Sequence, residues 1–425
     1  KRDIITSVDW DLVVFDEAHK LSARIWGKDI RRTLRYKLAE SLCSKVKNIL
    51  FLTATPHTGH PDRFMFLLEL LDPETFHIYM PHENLRKILL NKDIPVYLRR
   101  LKTEFVGLDG RKLIPERIVK TVPFQLTEEE LEVYKELTTY IRFLYNVSKQ
   151  TKRRNYQFVM LIFQKRFASS FYAIENSLRK RLKRLMEFKQ KADRLKEEVS
   201  IEDYSELIEK EEEVLEQVID PAFIDEEIEY IEKLLDKISS LKGCDTKLEK
   251  LREVIEDIQR EYGKLKLIIF SEYKDTVEYL RKELRGFRIV VIHGNQPYEE
   301  RIKNLELFKK SGEILIATDA AGEGIDLQFC QFMINYDIPW SPVVLEQRMG
   351  RIHRYGQKAN PWIFNFVASN TREGHVLNRL LEKLEQIKKD IGEKIYDVVG
   401  EILDCLLYTS DAADEGLGVD LGGRR

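Results

Sequence analysis

The sequence predicts an α/β protein in which two parts with parallel sheets flank a long helical region. Apolar, β-branched runs of strand length occur near the amino terminus and again in the last third of the chain. The segment between them repeats apolar residues at helical spacing and is rich in charge. The chain has 425 residues, more than one hydrophobic core usually serves, so we expect at least two domains.

The first region, residues 1–125, carries two patterns of buried strands, and both end in polar residues. Each strand pattern is an unbroken apolar run, which is typical of a parallel sheet covered on both faces. The predicted elements are strands in DLVVFDEAH (11–19) and NILFLTATP (48–56), helices in FMFLLELL (64–71) and in residues 85–101, interrupted at Pro95, and an exposed strand leaving the domain in IVKTVPFQL (118–126).

The second region, residues 126–262, is helical in pattern. Thr127 is followed by glutamates, which is a capping signature at the start of a helix. We interpret the aromatic residues in the first half of this region as its core rather than as platforms for stacking bases. They are Phe163, Phe167, Phe171 and Tyr172.

Charge is segregated within this helical region. Residues 149–196 are basic and include RKRLKR at 179–184, whereas residues 197–236 are acidic. The basic run has two interpretations: it binds phosphates of a nucleic acid, or it forms a solvated helix face that pairs with the acidic half. We favour the second, because charge runs on helices are usually solvated.

The third region, residues 263–368, alternates strand and helix patterns, which predicts a doubly wound parallel sheet. The predicted strands are LKLIIFS (265–271), FRIVVIH (287–293), EILIAT (313–318), FMINYDI (332–338) and WIFNFVA (362–368). Helices are expected in residues 369–404. Residues 405–425 have no periodicity and resemble a translated sequencing adapter, so we expect them not to belong to the natural protein; the alternative is a natural disordered tail.

Composition excludes several classes of protein. The net charge is only −2, so any nucleic-acid contact must be a local patch. The cysteines form no CxxC pair and lie at no metal-ligand spacing, which argues against a disulfide framework or structural zinc and fits a reducing, cytoplasmic environment. No apolar run reaches membrane-spanning length and no signal peptide opens the chain, so no membrane association is expected.

Acidic residues at the end of the first predicted strand suggest phosphate chemistry. Asp16 and Glu17 follow an apolar run, at the edge where a parallel sheet presents its ligand site. Hydrolysis of a nucleoside triphosphate needs a metal, a polarised water and positive charge on the leaving phosphates. Asp16 suits a Mg²⁺ ligand, and Glu17 suits the group that orients and deprotonates the attacking water. Alone, DEAH is equally compatible with solvated acids at a strand end.

Hydroxyl groups end the second predicted strand. TAT occupies residues 53–55, where the hydroxyls are placed to hydrogen-bond to the acidic site and relay its state. A glycine-rich turn, TDAAGEGIDL at 318–327, follows the strand EILIAT, and its glycines would let the backbone approach a ligand closely. Thr318 would contact a phosphate of the nucleic acid, and Asp326 would accept a hydrogen bond from the ribose of the nucleotide. Alone, this turn is not specific.

Basic residues near the end of the third region suit a triphosphate. In QRMGRIHRYGQ we predict Gln347, Arg351 and Arg354 on one short helical segment, with the two arginines three apart on one helix face. Two guanidinium groups presented together suit a triphosphate, as arginine fingers do. The alternative is a basic helix face in solvent, and Gly350 and Gly356 beside the arginines argue against it.

In this order, the motifs DEAH, TAT, IIFSEY, IHG, TDAAGEGIDL and QRMGRIHR resemble those of superfamily 2 helicases and translocases over roughly residues 11–368. DIPVYLRRLK, the large helical insertion and LEQRMGRIHRYGQ resemble the Swi/Snf-type group, nearest the prokaryotic RapA-like ATPases and the helicase of DISARM phage-defence systems. The resemblance implies two RecA-like lobes, the first one partial, with ATP and Mg²⁺ in the cleft and a nucleic-acid duplex across both.

The resemblance also implies roles for individual residues. They are catalysis by Asp16, Glu17, Arg351 and Arg354; ATP contacts by His19, Gly324, Asp326 and Gln347; coupling by Thr53, Ala54 and Thr55; and nucleic-acid contacts by Ser271, His293, Gly294 and Thr318.

One departure from the family pattern is large. The sequence contains no GxxxxGK[ST], because Gly27-Lys28 is followed by Asp29 and Gly263-Lys264 by Leu265. We interpret this as truncation rather than degeneration, since every later motif is intact. We therefore expect the chain as written not to hydrolyse ATP.

Three functions are compatible with these motifs. The first is an ATP-dependent translocase on double-stranded DNA, with RNA as the alternative, that remodels protein–DNA complexes with unknown protein partners, in phage defence or RNA polymerase recycling. The second is a strand-separating helicase on DNA or RNA, against which the helical insertion weighs. The third is a non-catalytic interaction scaffold, against which the intact DEAH and the paired arginines weigh.

Overall fold

The structure is a computed structural model that divides into two compact units. It describes residues 2–26, 29–53, 61–81, 84–85, 88, 98, 105–110, 112–151, 155–191, 211, 215, 218–241, 243–263, 265–319, 325–339, 342–371 and 374–375. The described residues up to 112, with 342 and 343, form the first unit, and those within 113–339 and 344–379 form the second.

The first unit is built on two short parallel strands. Its elements are α1 (Arg2–Thr6), β1 (Leu12–Phe15), β2 (Ala23–Trp26), β3 (Asp29–Arg32), α2 (Leu34–Cys43), β4 (Asn48–Phe51) and α3 (Pro61–Leu71). β1 pairs in parallel with β4, with Phe15 opposite Phe51, and β2 and β3 form an antiparallel hairpin. Tyr36 of α2 packs edge to face on Phe66 of α3 in the core. The predicted strands and the helix at FMFLLELL are confirmed.

One face of the β1–β4 sheet is apolar and half exposed. Leu12, Val14, Leu50 and Leu52 have exposed fractions of 52, 47, 46 and 45%. Strands of parallel sheets are normally covered on both faces. The apolar runs thus predict strands buried on both sides, whereas the described part of the chain covers one side only.

The second unit contains a six-stranded sheet in which all strands are parallel. Its elements are β5 (Ile118–Phe124), α4 (Glu128–Thr151), α5 (Asn155–Ser169), α6 (Phe171–Lys191), α7 (Ile224–Ser240), α8 (Thr246–Tyr262), β6 (Leu267–Ser271), α9 (Lys274–Glu283), β7 (Ile289–Ile292), α10 (Tyr298–Lys310), β8 (Ile314–Thr318), β9 (Phe332–Asn335), α11 (Pro342–Gly350) and β10 (Trp362–Ala368). The strand order is β5–β10–β9–β6–β8–β7. Every residue of β6, β8 and β9 is buried, as their unbroken apolar runs predict.

Two segments lie on this sheet although the sequence boundaries placed them elsewhere. β5, predicted as an exposed strand leaving the first region, is an edge strand that pairs with β10 over its whole length. α8, assigned to the helical region, packs Leu251, Ile255 and Ile258 into the core of the sheet. A sequence pattern reveals a strand or an apolar helix face but not the surface it meets, so the boundaries at residues 125 and 262 are both displaced.

Helices α4 to α7 pack around an apolar core of their own. Phe163 is fully buried there, and Phe167 and Phe171 pack against it, which confirms their prediction as core residues. Tyr172 differs, because it stacks on Tyr279 of α9 with ring centroids 5.7 Å apart.

The capping signature before α4 is confirmed. The Thr127 backbone N–H donates to Glu130 Oε2 at 2.8 Å, and the Glu130 N–H donates to Thr127 Oγ1 at 3.3 Å. The same buried carboxylate accepts from the N–H and the hydroxyl of Thr246 at 2.9 and 2.6 Å. Glu130 therefore ties the first turn of α4 to the first turn of α8.

The basic run RKRLKR contains one residue that neither sequence interpretation expected to be buried. Arg181 is fully buried and donates to both carboxylate oxygens of Glu227 at 2.9 and 3.2 Å. It also donates to the carbonyl groups of Leu215 and Val218, each at 2.6 Å, and Tyr140 donates to Glu227 at 2.8 Å. Helical periodicity turns one position of the run inward, so the run is not a continuous surface for phosphates.

Several predictions lie partly or wholly outside the described residues. These are most of the helix at 85–101, most of 369–404, and all of 405–425. Within the described ranges, none of the helices combines the length and the apolarity that crossing a membrane requires.

We expect Arg181→Met to destabilise the second unit by about 3–5 kcal/mol, because it leaves the Glu227 carboxylate buried without its counter-charge. Urea unfolding followed by helical circular dichroism measures this. Arg179→Ala is the matched control in the same run, since Arg179 pairs with Glu175 on the surface at 2.7 Å and its loss costs about 0.5 kcal/mol or less. Equal, small effects of the two changes would contradict the buried pair.

Candidate functional site

The acid pair after β1 lies in a sharp turn at the carboxyl edge of its sheet. Glu17 has φ 50° and ψ 46°, a left-handed conformation that is uncommon for a residue with a Cβ. Its backbone N–H donates to Asp16 Oδ1 at 2.8 Å, and the Ala18 N–H donates to the carbonyl of Leu52 at 3.0 Å. These contacts hold a conformation that costs about 1–3 kcal/mol and fix the DEAH turn against the end of β4.

His19 joins the acid pair to the end of the second strand. Its Nδ1 lies 3.1 Å from Thr53 Oγ1 and 3.3 Å from Glu17 Oε2. The structure thus brings Glu17, His19 and Thr53 together, and the predicted contact between the TAT hydroxyl and the acidic site runs through the imidazole. Ala54 and Thr55 lie outside the described residues. Because His19 contacts both residues, its side chain links the position of the Thr53 hydroxyl to that of the Glu17 carboxylate.

The arginine segment, residues 348–354, differs from the predicted helix face. α11 ends at Gly350, and Arg351 and Arg354 lie in turns that follow it. The Arg351 N–H donates to the Arg348 carbonyl at 3.0 Å, a contact that tightens the end of the helix into a turn. The physical reason for the difference is glycine, which ends helices more readily than it continues them.

A second glycine closes this segment. Gly356 has φ +94°, and a Cβ added there would lie 2.7 Å from Gln328 Oε1. The positive φ favours glycine, and the Gln328 side chain would have to move to admit a Cβ. In the sequence, the glycines beside the arginines argue against a plain surface helix. Gly350 ends α11, and Gly356 has a backbone conformation that is not helical.

The side chains proposed to meet the nucleotide are accessible in this unit. Arg354 Nη1 lies 3.7 Å from Asp326 Oδ1, with side-chain exposures of 48 and 54%. Gln347 is half-buried in the last turn of α11. Gly324 lies outside the described residues. An exposed pair of this kind contributes little stability, so both groups are available to a ligand.

Arg348, which sequence reasoning missed, is the buried arginine of this motif. Its Nε and Nη2 donate to the two carboxylate oxygens of Asp319 at 2.5 and 2.7 Å. Its Nη1 donates to the carbonyl of Asp337 at 2.6 Å and to Asn335 Oδ1 at 3.3 Å. The available signal was an acid directly after each of two apolar strands, EILIATD and FMINYD, because buried acids require a cation.

Two contacts hold the arginine segment and α11 against the chain before β5. Arg117 donates through Nη1 and Nη2 to both oxygens of Glu346, each at 2.5 Å. His353, which is buried, has its Nε2 2.9 Å from the Pro115 carbonyl. The bidentate geometry of the first contact fixes orientation as well as distance.

The residues predicted to contact nucleic acid divide into two groups. Ser271 is fully buried and donates to Asp337 Oδ2 at 2.7 Å, which corrects its assignment, because its hydroxyl faces the interior. Thr318 is buried at the end of β8. His293 and Gly294 form the predicted turn after β7, where Gly294 is exposed and partial burial lowers the pKa of His293. Of the four, only the turn residues present surface to a ligand.

Ionisable groups are buried where the helical region meets the sheet. Lys247 donates to the carbonyls of Ala168 and Ser169 at 2.7 and 2.8 Å, and burial lowers its pKa to about 8. Lys165 lies 3.2 Å from Glu272, and burial raises the pKa of that glutamate to about 7. The metal-ligand clusters that a zinc or similar site would need do not occur among the described residues.

The carboxyl-terminal half of the chain matches a known family model. Residues 246–356 match the helicase conserved C-terminal domain. The match begins at the first residue of α8 and contains the arginine segment, in agreement with the packing of α8 on the sheet.

One relative matches nearly the whole chain. The uncharacterized ATP-dependent helicase YqhH of Bacillus subtilis is 33% identical over 438 residues, an alignment that covers 97% of this chain and 67% of the relative. The chain belongs to the superfamily 2 helicases. The ATP-dependent RNA helicase DBP8 of Scheffersomyces stipitis is 31% identical over 160 residues, 37% of this helicase chain and 35% of that protein. The helicase domain of Pyrococcus furiosus Hef aligns with a TM-score of 0.47 at 17% identity, over 89% of this chain and 77% of that one.

We expect Lys247→Met to remove a pH dependence of stability. The unfolded lysine binds its proton up to about pH 10.5, whereas the folded one releases it near pH 8. In that window the unfolded state holds more protons, so this group contributes stability that rises with pH by roughly 1.4 kcal/mol per unit. The difference in melting temperature between wild type and variant, measured from pH 7 to pH 10, should change with pH. Lys250→Met, at a surface pair on the same helix, is the control, and parallel curves for wild type and Lys247→Met would contradict the assignment.

Proposed function

We propose that this chain is the larger part of the motor of an ATP-dependent translocase that moves on double-stranded DNA and remodels protein–DNA complexes. The observation that carries the proposal is the contact of His19 with both Glu17 and Thr53, which links the acid pair to the next strand. A motor needs such a link, since hydrolysis has to alter contacts elsewhere. Resemblance to RapA-like and DISARM proteins points to RNA polymerase recycling or phage defence as the setting.

Each site residue has a proposed role that its environment supports. Glu17 orients the attacking water and takes its proton, and His19 holds the Glu17 carboxylate in place. Asp16 is exposed at a strand end and offers carboxylate oxygen, the ligand that Mg²⁺ prefers. When bound, Mg²⁺ neutralises charge on the phosphates of ATP. Arg351 and Arg354 stabilise the charge that develops on the transferred phosphoryl group.

We infer that this chain alone does not hydrolyse ATP. Its 425 residues contain no GxxxxGK[ST], so the lysine and the hydroxyl that a P-loop contributes are missing from it. The chain spans about two thirds of the length of YqhH and about a third of DBP8. One face of β1 and β4 is apolar and half exposed, and in parallel sheets such a face is normally covered by helices.

In the complete protein we expect Glu17→Gln to abolish DNA-stimulated ATP hydrolysis while ATP still binds. The amide keeps the shape of the side chain but cannot accept the proton of water. Steady-state turnover and equilibrium binding of a fluorescent ATP analogue measure the two effects. Glu40→Gln, at an exposed carboxylate 3.5 Å from Arg32, is the control. Retained turnover in Glu17→Gln would remove Glu17 from the mechanism.

We expect Arg354→Ala to lower DNA-stimulated turnover by about 10³-fold or more, as loss of an arginine finger does in nucleotide hydrolases. Thermal stability should change little, because Arg354 is half exposed and its pair with Asp326 is weak. Arg260→Ala, at an exposed arginine that pairs with Asp257, is the matched control. A loss confined to the Michaelis constant would place Arg354 in ground-state binding instead.

Strand separation on DNA or RNA is the second candidate activity, since the chain is also similar, over about a third of its length, to relatives that are named RNA helicases. A triplex-displacement assay reports translocation on an intact duplex, whereas a strand-displacement assay reports unwinding. Displacement of a triplex-forming strand without unwinding supports translocation. Unwinding of RNA or DNA duplexes at a comparable rate supports the helicase.

A further inference from the structure

The junction between α5 and α6 is buried against the carboxyl edge of the six-stranded sheet. Ser169 and Ser170 are both buried although each carries a hydroxyl. Ser170 caps α6, since its Oγ accepts from the Ala173 N–H at 3.1 Å. Thr276 Oγ1, in the first turn of α9, lies 2.8 Å from the Oγ of each serine. The start of α6 therefore meets the start of α9 through these hydroxyl groups, beside the ring stack of Tyr172 on Tyr279.

The direction of these hydrogen bonds follows from counting donors. Ser169 Oγ lies 2.5 Å from Asp337 Oδ2, and an ionised carboxylate only accepts, so the hydroxyl of Ser169 donates to it. Having used its one proton, Ser169 accepts from Thr276, and Thr276 in turn accepts from Ser170. The order Ser170, Thr276, Ser169, Asp337 is one directed chain, which we call the hydroxyl relay.

Asp337, the second residue after β9, accepts the last hydrogen bond of the hydroxyl relay and several others at the edge of the sheet. Besides Ser169, it accepts from Ser271 Oγ at 2.7 Å and from the Glu272 N–H at 2.8 Å. Its own carbonyl accepts from Arg348 Nη1 at 2.6 Å, and Arg348 Nη2 lies 3.7 Å from its Oδ1. A displacement of Ser169 therefore acts on Asp337, which holds Arg348 together with Asp319 and Asn335.

Arg348 carries this link into the arginine segment. Its carbonyl accepts from the Arg351 N–H at 3.0 Å, so the turn that presents Arg351 starts from the anchored residue. On the other side of the junction, Lys247 holds the carbonyls of Ala168 and Ser169. The backbone carbonyls of the junction are thus held as well as its hydroxyls.

We propose that the hydroxyl relay is a positioning device, through which the helical region sets the placement of Arg351 and Arg354 at the nucleotide. The inference rests on the proposed function, because the role of the arginines is part of it. Both serines and Thr276 are buried, so we place them away from the nucleotide. They act through Asp337 and Arg348.

Two variants break the relay with little change in volume. Ser169→Ala removes the donor to Asp337, and Thr276→Val removes the bridge between the serines while keeping the branched shape. In the complete protein we expect each to lower kcat of DNA-stimulated ATP hydrolysis about tenfold, with KM for ATP within about threefold, because the arginines act in the transition state. The double variant should be no worse than either single one, since both cut the same chain.

A second measurement does not depend on activity. Hydrogen exchange in residues 344–357 should speed up in both relay variants, while exchange in β1 and β4 stays unchanged. Thr138→Val is the matched control, because Thr138 donates only within its own helix, to the Tyr134 carbonyl at 2.8 Å. Thr276→Val provides the answer if Ser169→Ala does not fold.

The outcomes separate the two claims. Wild-type protein without DNA-stimulated hydrolysis overturns the proposed function, and the exchange data alone then decide whether the relay couples the two parts. Wild-type hydrolysis together with unchanged kcat and unchanged exchange in both relay variants overturns the relay and leaves the proposed function standing. Loss of kcat and faster exchange in Thr138→Val as well would overturn the relay by showing a general effect of the helical region.

Discussion

A guanidinium group that is 2% exposed is tolerated only if its N–H groups find oxygen atoms, and Arg348 finds them on Asp319, Asn335 and Asp337. These acceptors follow or end different strands, β8 and β9, so one side chain fixes the relative height of two strand ends. The arginine segment begins at this residue. Removing such a cation typically costs about 3–5 kcal/mol, roughly half the stability of a small domain. The positions of the acceptors around Arg348 are therefore strongly constrained.

The helical region obeys the same constraint. Arg181 looks like a solvated charge in sequence, yet it is buried with the carboxylate of Glu227 and two carbonyl groups around it. Burying an ion pair gains little over apolar packing, but it fixes orientation, because a bidentate contact has one geometry. Arg181 and Arg348 therefore fix the orientation of the groups that they bind, whereas apolar side chains at these places would allow those groups to move.

The sequence predicts what depends on local pattern and misses what depends on partners. The unbroken apolar runs of β6, β8 and β9 identify central strands because they are short, and strands in the middle of a parallel sheet are buried on both faces. β5 and α8 are recognised as elements but assigned to the wrong side of a boundary, since pairing is not local. In the site, the carboxylates of Asp16 and Glu17 can be recognised from the DEAH sequence. The roles of Arg348 and Asp337 depend on their burial, which the sequence does not reveal. Ser271 ends a strand as predicted, but its hydroxyl faces inward to Asp337.

The seam between the helical region and the sheet is made of directional contacts. Apolar seams are non-directional, so packed surfaces can slide without losing much free energy. Here hydroxyls, carbonyls and charges meet beside the ring stack of Tyr172 on Tyr279: Ser169 on Asp337, Lys247 on the α5 end, and Lys165 on Glu272. Buried polar groups that separate are left without partners, which costs about 1–3 kcal/mol each. Such a seam favours a few discrete arrangements of the helical region on the sheet over a continuous range of positions. A protein that alternates between conformational states needs parts that move as one body.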